Sequence, residues 1–150
     1  MNKEQKGLGE LKEFFQGRYL GVLATQDRGQ PYTSLMAFAA TDDMKQILFA
    51  TDRATRKFAN LTADGRAAML IDNRSNRYED IAETTAVTAT GTAAVVTGEE
   101  KDKLEALYLA KHPYLEAFIA VPSTALVSLN VDSYFIVSKF QDVTKLRMKE

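Results

Sequence analysis

Cysteine is absent from the 150 residues of this chain. That excludes a disulfide scaffold, a thiolate-bound zinc, an iron–sulfur cluster and a cysteine nucleophile. Histidine occurs once, at His112, which leaves a Ser–His–Asp hydrolase or a multi-histidine metal site almost nothing to draw on. Neither charge sign is in excess: 19 Lys and Arg face 20 Asp and Glu, for a net charge of −1. A nucleic-acid backbone therefore meets no basic surplus. No apolar run approaches the ~18 residues needed to span a bilayer. The first residues are too charged for a signal peptide, so a cytoplasmic location is expected, with neither membrane nor nucleic acid as partner. Hydrophobic residues at 45% and charged residues at 26% match ordinary globular usage and exclude a disordered or collagen-like chain. A chain of this length buries roughly 70% of its unfolded surface, enough for one core. Residues 1–150 read as a single domain.

What is present changes period along the chain. Glu4 to Gln16 reads as a helix, with Leu8, Leu11, Phe14 and Phe15 at helical spacing, Gly17 as its stop, and Gly7 and Gly9 fraying its start. Tyr19–Thr25 and Tyr32–Ala40 read as a hairpin about a turn at 27–31, and Gln46–Thr51 as a third strand. Ala54–Ala63 is a short helix ended by Asp64-Gly65, Arg66–Asp72 a fourth strand, and Asn73–Thr85 an irregular stretch. Thr84–Thr97 reads as a long strand whose Gly91 implies a bulge. Glu99–Lys111 is an amphipathic helix that His112-Pro113 should end, and Ser123–Phe140 is a final long strand or strand pair. There is no βαβ alternation with glycine-rich turns. About six antiparallel strands with single inserted helices fit a closed or partly closed barrel, mainly β with peripheral helices.

The chemistry-bearing stretch is Phe49 to Leu61, FATDRATRKFANL. Arg53, Arg56 and Lys57 crowd the start of a helix, where the dipole disfavours cations. Sequences break such local rules at functional sites. An anion docked there would resolve the conflict, drawing on free N–H groups, the Thr51 and Thr55 hydroxyls and the basic side chains. Phosphate is the natural candidate, without the glycine motifs of nucleotide loops. The competing reading is a set of solvated charges paired with Asp52 and Asp64. Ser34, Leu35, Met36 and Ala37 precede this segment on a strand, and Asn73 and Arg74 follow the next one, where both could face the same cleft. Taken singly, Asn73 reads as an ordinary turn residue.

The order of helix, YLGVLAT, YTSLMAF, ILFATDRATRKFANL, RAAMLIDNRS and VDSYFIVSKF resembles the FMN-binding split β-barrel of the pyridoxamine 5′-phosphate oxidase-like superfamily, over Leu11 to Phe140. The resemblance implies an antiparallel six-stranded split β-barrel. It implies FMN as cofactor, its phosphate held by Thr55, Arg56 and Lys57, with Thr51 beside the ribityl chain or phosphate. Ser34, Leu35, Met36 and Ala37 would line the isoalloxazine through backbone groups, and Asn73 and Arg74 would reach the flavin. It further implies a homodimer with FMN at the subunit interface. The strands Tyr32–Ala40 and Ala86–Val96 point the same way, carrying more apolar faces than one small barrel interior can bury.

The second strand lacks the basic residues of pyridoxamine phosphate oxidases themselves, and SKFQDVTKLRMKE lacks their histidine-containing substrate tail. The implied activity is a small FMN-dependent oxidoreductase acting on a small molecule or electron donor, rather than vitamin B6 oxidation. The alternative is a non-catalytic flavin- or haem-binding protein of the same fold. A cleft that holds no cofactor, in an interaction domain, is a third reading. No catalytic acid or base and no metal-ligand set stands out. His112 reads as a helix C-terminal residue favoured by the dipole, or as an axial haem ligand. Tyr78, Tyr108, Tyr114 and Tyr134 are either core or interface residues or stacking partners. Glu79, Asp80 and Glu83 form a solvated loop face unless their oxygens converge on a metal.

Overall fold

In the computed structural model, which describes residues 2–139 and 142–149, Asn2 opens the first helix, α1 (Lys3–Gln16). Its side chain accepts the Gln5 N–H at 2.8 Å, while the Gln5 side chain accepts the Asn2 N–H at 3.1 Å. This reciprocal cap holds the turn that Gly7 and Gly9 would loosen, and the helix runs unbroken to Gly17.

The chain continues through β1 (Leu20–Asp27), β2 (Gln30–Ala37), β3 (Ala39–Ala40), β4 (Gln46–Asp52), α2 (Arg56–Ala63) and β5 (Arg66–Asp72). It then forms α3 (Asp80–Glu83), β6 (Ala86–Val95), α4 (Lys101–Lys111), α5 (Glu116–Ala120), β7 (Thr124–Ser138) and β8 (Asp142–Arg147). Arg28 and Gly29, with φ of 50° and 85°, make the two-residue turn that suits the twist of the β1–β2 hairpin.

All pairings are antiparallel, in the order β2-β1-β5-β6-β7-β4-β3, with β8 added on β7. One residue, Phe38, separates β2 from β3, so the two ends of the sheet curl onto each other. No ladder joins β2 to β4, and this is where the barrel is split. The fold is therefore the expected antiparallel split barrel with peripheral helices, built of eight strands among the described residues instead of six. Two causes account for the difference. Phe38 leaves the strand path to bury its ring edge-on against Phe15, which divides the expected second strand. β8 lies beyond the last strand that the sequence implies. The expected end of the last strand at Phe140 lies outside the described residues.

The bulge at Gly91 is present as a register shift between Thr90 and Gly91. A Cβ at this position would lie 2.0 Å from the Asn130 carbonyl oxygen, so only glycine fits. β4 is buried on both faces, which explains its unbroken apolar run. One face joins the barrel core of Leu23, Phe38, Ile47, Phe49, Met69 and Leu129. The other packs with Leu104, Tyr108 and Leu126 beneath α4. Among the described residues, no helix is long and apolar enough to cross a membrane.

Candidate functional site

The end of β4 and the start of α2 form one hydrogen-bonded unit. Thr51 is buried, and its hydroxyl lies 3.0 Å from that of Thr55. Thr55 caps α2: its hydroxyl donates to the Asp52 carbonyl at 2.8 Å and accepts the Phe58 N–H at 3.4 Å. Within the helix, the buried Asn60 side chain donates to the Thr25 hydroxyl at 3.0 Å and fixes α2 against β1.

The carboxylates that could neutralise the basic cluster are committed elsewhere. Asp52 accepts the Ala54 N–H at 2.7 Å and the Ser123 hydroxyl at 3.1 Å. Asp64 takes Arg66 at 2.6 Å and the Gln26 amide, and the Arg66 guanidinium holds its carboxyl well below the usual range. Among the described residues, Arg53, Arg56 and Lys57 form no ion pair, and the first turn of α2 contains no acid. The reading of these cations as partners of Asp52 and Asp64 is thus corrected. Arg53 separates from the other two: its guanidinium donates to the Pro122 carbonyl at 3.0 Å and fastens the neighbouring loop. Arg56 and Lys57 remain at the helix start, with the Arg56 guanidinium 5.6 Å from the centre of the Tyr32 ring on β2. Tyr32 was not among the sequence candidates; its place at the turn end of the hairpin, opposite Thr25, is the signal that could have found it.

β2 does not present Ser34, Leu35, Met36 and Ala37 alike. Met36 is buried and Ser34 half-buried on the side that pairs with Gly21 and Leu23. Leu35, directly opposite Val22 and in line with Leu70, lies 65% exposed on the outer face. The Ala37 carbonyl is taken by the Tyr108 hydroxyl at 3.1 Å.

Asn73 is a loop-closing residue, its side chain accepting the Thr85 N–H at 2.8 Å. Arg74 pairs with Asp72 at 3.1 Å and shares with Leu35 a cleft of about 380 Å³. The structure therefore assembles Thr51, Thr55, Arg56 and Lys57 in one place and Leu35 with Arg74 in another, while Asn73 serves the loop base.

His112 caps the end of α4, fully buried, with Nε2 at 2.7 Å from the Phe38 carbonyl. Burial lowers its pKa, the carbonyl opposing and Lys111 adding to the effect. Because its partner is a carbonyl oxygen, Nε2–H donates. Its Nδ1 has no hydrogen-bond partner among the described residues but is wholly buried, so haem could reach it only if the packing around the ring opened. Tyr108 and Tyr134 are core residues, whereas Tyr78 and Tyr114 are exposed. Asp80 accepts the N–H groups of Ser75 and Asn76 and closes its own loop.

The sequence profile described as pyridoxamine 5′-phosphate oxidase matches residues 8–138, and the chain belongs to that family. No curated protein is similar to it in sequence at a significant level. Among solved structures, a haem-binding protein from Mycobacterium smegmatis superposes with a TM-score of 0.81 at 19% identity, covering 93% of this chain and 57% of that one. This chain thus spans little more than half of that protein's length. An FAD-binding protein from Mesorhizobium loti gives 0.66 at 14% identity, covering 83% and 87%. A Clostridium acetobutylicum protein related to general stress protein 26, of the pyridoxinephosphate oxidase family, gives 0.73 at 14% identity, covering 98% and 97%. At these identities the likeness is one of fold.

Proposed function

We propose that this member of the pyridoxamine 5′-phosphate oxidase family is an FMN-binding flavoprotein, a homodimer that acts as a small oxidoreductase in the cytoplasm. The observation that carries the proposal is the pair Arg56 and Lys57, which stand at the capped start of α2 with no carboxylate partner among the described residues. Two cations and the free N–H groups of a helix start fit a phosphate monoester. Thr51 and Thr55 add hydroxyls beside them. The unpaired edge of β2 at the split supplies backbone groups at Ser34, Leu35 and Met36 for a flat heteroaromatic ring. Ala37, Asn73 and Arg74 complete the residues assigned to the cofactor. The single phosphate-binding cluster favours a mononucleotide over FAD.

The homodimer is supported by the outer sheet face, where Val22, Leu35, Leu70, Phe135 and Val137 lie half-buried or exposed. Bound FMN would supply hydride and electron transfer; the chain supplies position and electrostatics. A haem-binding role is the second reading, favoured by the likeness in fold to the haem-binding protein from Mycobacterium smegmatis and opposed by the complete burial of His112.

Releasing the cofactor from purified protein and identifying it by mass spectrometry tests the assignment. FMN near one per subunit is expected; FAD, a deazaflavin or haem as the main species would overturn it. Turnover of a nicotinamide donor with an electron acceptor separates an enzyme from a storage protein.

A further inference from the structure

The geometry points to Tyr32 as a positioning residue for the phosphate clamp: its ring holds the Arg56 guanidinium in place to meet a phosphate monoester. This role rests on the reading of α2 as a phosphate site and extends that site to β2.

Arg56 and Asn60 stand four residues apart in α2 and so share one face of the helix. That face meets the β1–β2 hairpin at the cross-strand pair Thr25 and Tyr32. Asn60, which is buried, donates to the Thr25 hydroxyl at 3.0 Å, and this hydroxyl lies 3.5 Å from the Tyr32 carbonyl. One turn nearer the helix start, the central carbon of the Arg56 guanidinium lies over the Tyr32 ring, 5.6 Å from its centre and within cation–π range. Helix and strand are thus joined twice at Tyr32, once through its backbone and once through its ring. The backbone link fixes where the ring stands, and the ring fixes where the guanidinium stands.

The ring is 41% exposed, so core packing does not account for it. A free arginine side chain is rich in rotamers, and ordering it at the moment of binding weakens its grip. A guanidinium already held over an aromatic ring loses less. The contact draws on the ring's π charge and uses no carboxylate, so the positive charge stays available to an anion. Among the described residues Arg56 forms no ion pair.

The test measures FMN and riboflavin binding by fluorescence quenching in wild type, Tyr32→Leu, Tyr32→Phe, Arg56→Ala, and Tyr32→Leu combined with Arg56→Ala. Tyr32→Leu keeps the carbonyl that Thr25 meets and removes only the ring. It should weaken FMN by roughly 2- to 5-fold, the loss of one exposed cation–π contact, and leave riboflavin unchanged. Tyr32→Phe keeps the ring and should restore FMN affinity. In the combined variant the loss caused by Tyr32→Leu should vanish, because the arginine it acts through is gone. Riboflavin reports whether each variant keeps its folded site, and equal weakening of both ligands in Tyr32→Leu would overturn the assignment. So would a Tyr32→Phe protein as weak as Tyr32→Leu, which would give the role to the hydroxyl, or a Tyr32→Leu loss that persists in full beside Arg56→Ala. Unchanged FMN affinity in Tyr32→Leu, with Arg56→Ala weakened, overturns the role of Tyr32 alone. A wild type that binds FMN no more tightly than riboflavin overturns the phosphate reading itself, and the role of Tyr32 with it.

Discussion

The hydroxyls of Thr51 and Thr55 lie 3.0 Å apart, one near the end of a barrel strand and the other capping the helix that follows. Thr55 has one hydroxyl proton, and it goes to the Asp52 carbonyl at 2.8 Å. Thr51 must therefore donate to Thr55, whose oxygen also accepts the Phe58 N–H. This chain of bonds sets the angle at which α2 leaves the barrel, and with it the position of Arg56 and Lys57.

Thr55→Ala should lower stability by about 0.5–2 kcal/mol, the usual loss for an N-cap threonine. Thr55→Ser should recover most of it. Urea denaturation of the two variants measures the difference. Equal midpoints for wild type and Thr55→Ala would show that the cap does not hold the helix.

The outer sheet face should be covered by a second subunit. Leu35, 65% exposed opposite Val22, is the residue to change. Wild type should sediment as a dimer at micromolar concentration, and Leu35→Glu should shift it toward monomer by burying a charge in the interface. A wild type that stays monomeric with FMN present contradicts the dimer.

Acid should destabilise the protein through His112. Burial, against the pull of the Phe38 carbonyl and helped by Lys111, holds its folded pKa below the ordinary value. The unfolded chain, with a value near 6.5, then binds the proton more readily. Stability is fully present above about pH 6.5 and is lost as pH falls below it through the folded value. Because this is the only histidine, the slope between about pH 7 and 5.5 is largely its own. Urea midpoints should fall over that range in wild type and change less in His112→Gln. A flat wild-type profile would contradict the assignment.

Much of this fold is legible in the sequence because its signals are local. β5 is found at Arg66–Asp72, as its bounding turns imply, and Gly91 marks the bulge. The features that escape depend on distant partners. β8, DVTKLR, is charged and largely exposed, and it pairs only because β7 extends far enough to offer an edge. Phe38 interrupts a continuous apolar run because Phe15 and His112 await it in space. Asn60 looks like a surface residue until Thr25 meets it. At the site, the misplaced charges of TRK stand out against the helix dipole, whereas Tyr32 gains meaning only from what packs beside it.

The central claim is that Arg56 grips a phosphate, and one comparison tests it most directly. FMN and riboflavin, which lacks the phosphate, are titrated by fluorescence quenching into wild type and Arg56→Ala. Losing one charge-assisted hydrogen bond should weaken FMN by roughly 10- to 150-fold. The fold should survive, because a cation in the first turn gains nothing from the dipole. Riboflavin should bind wild type weakly and lose little more in the variant. Equal weakening of both ligands, or unchanged FMN affinity, would make Arg56 a surface charge and contradict the site built on it.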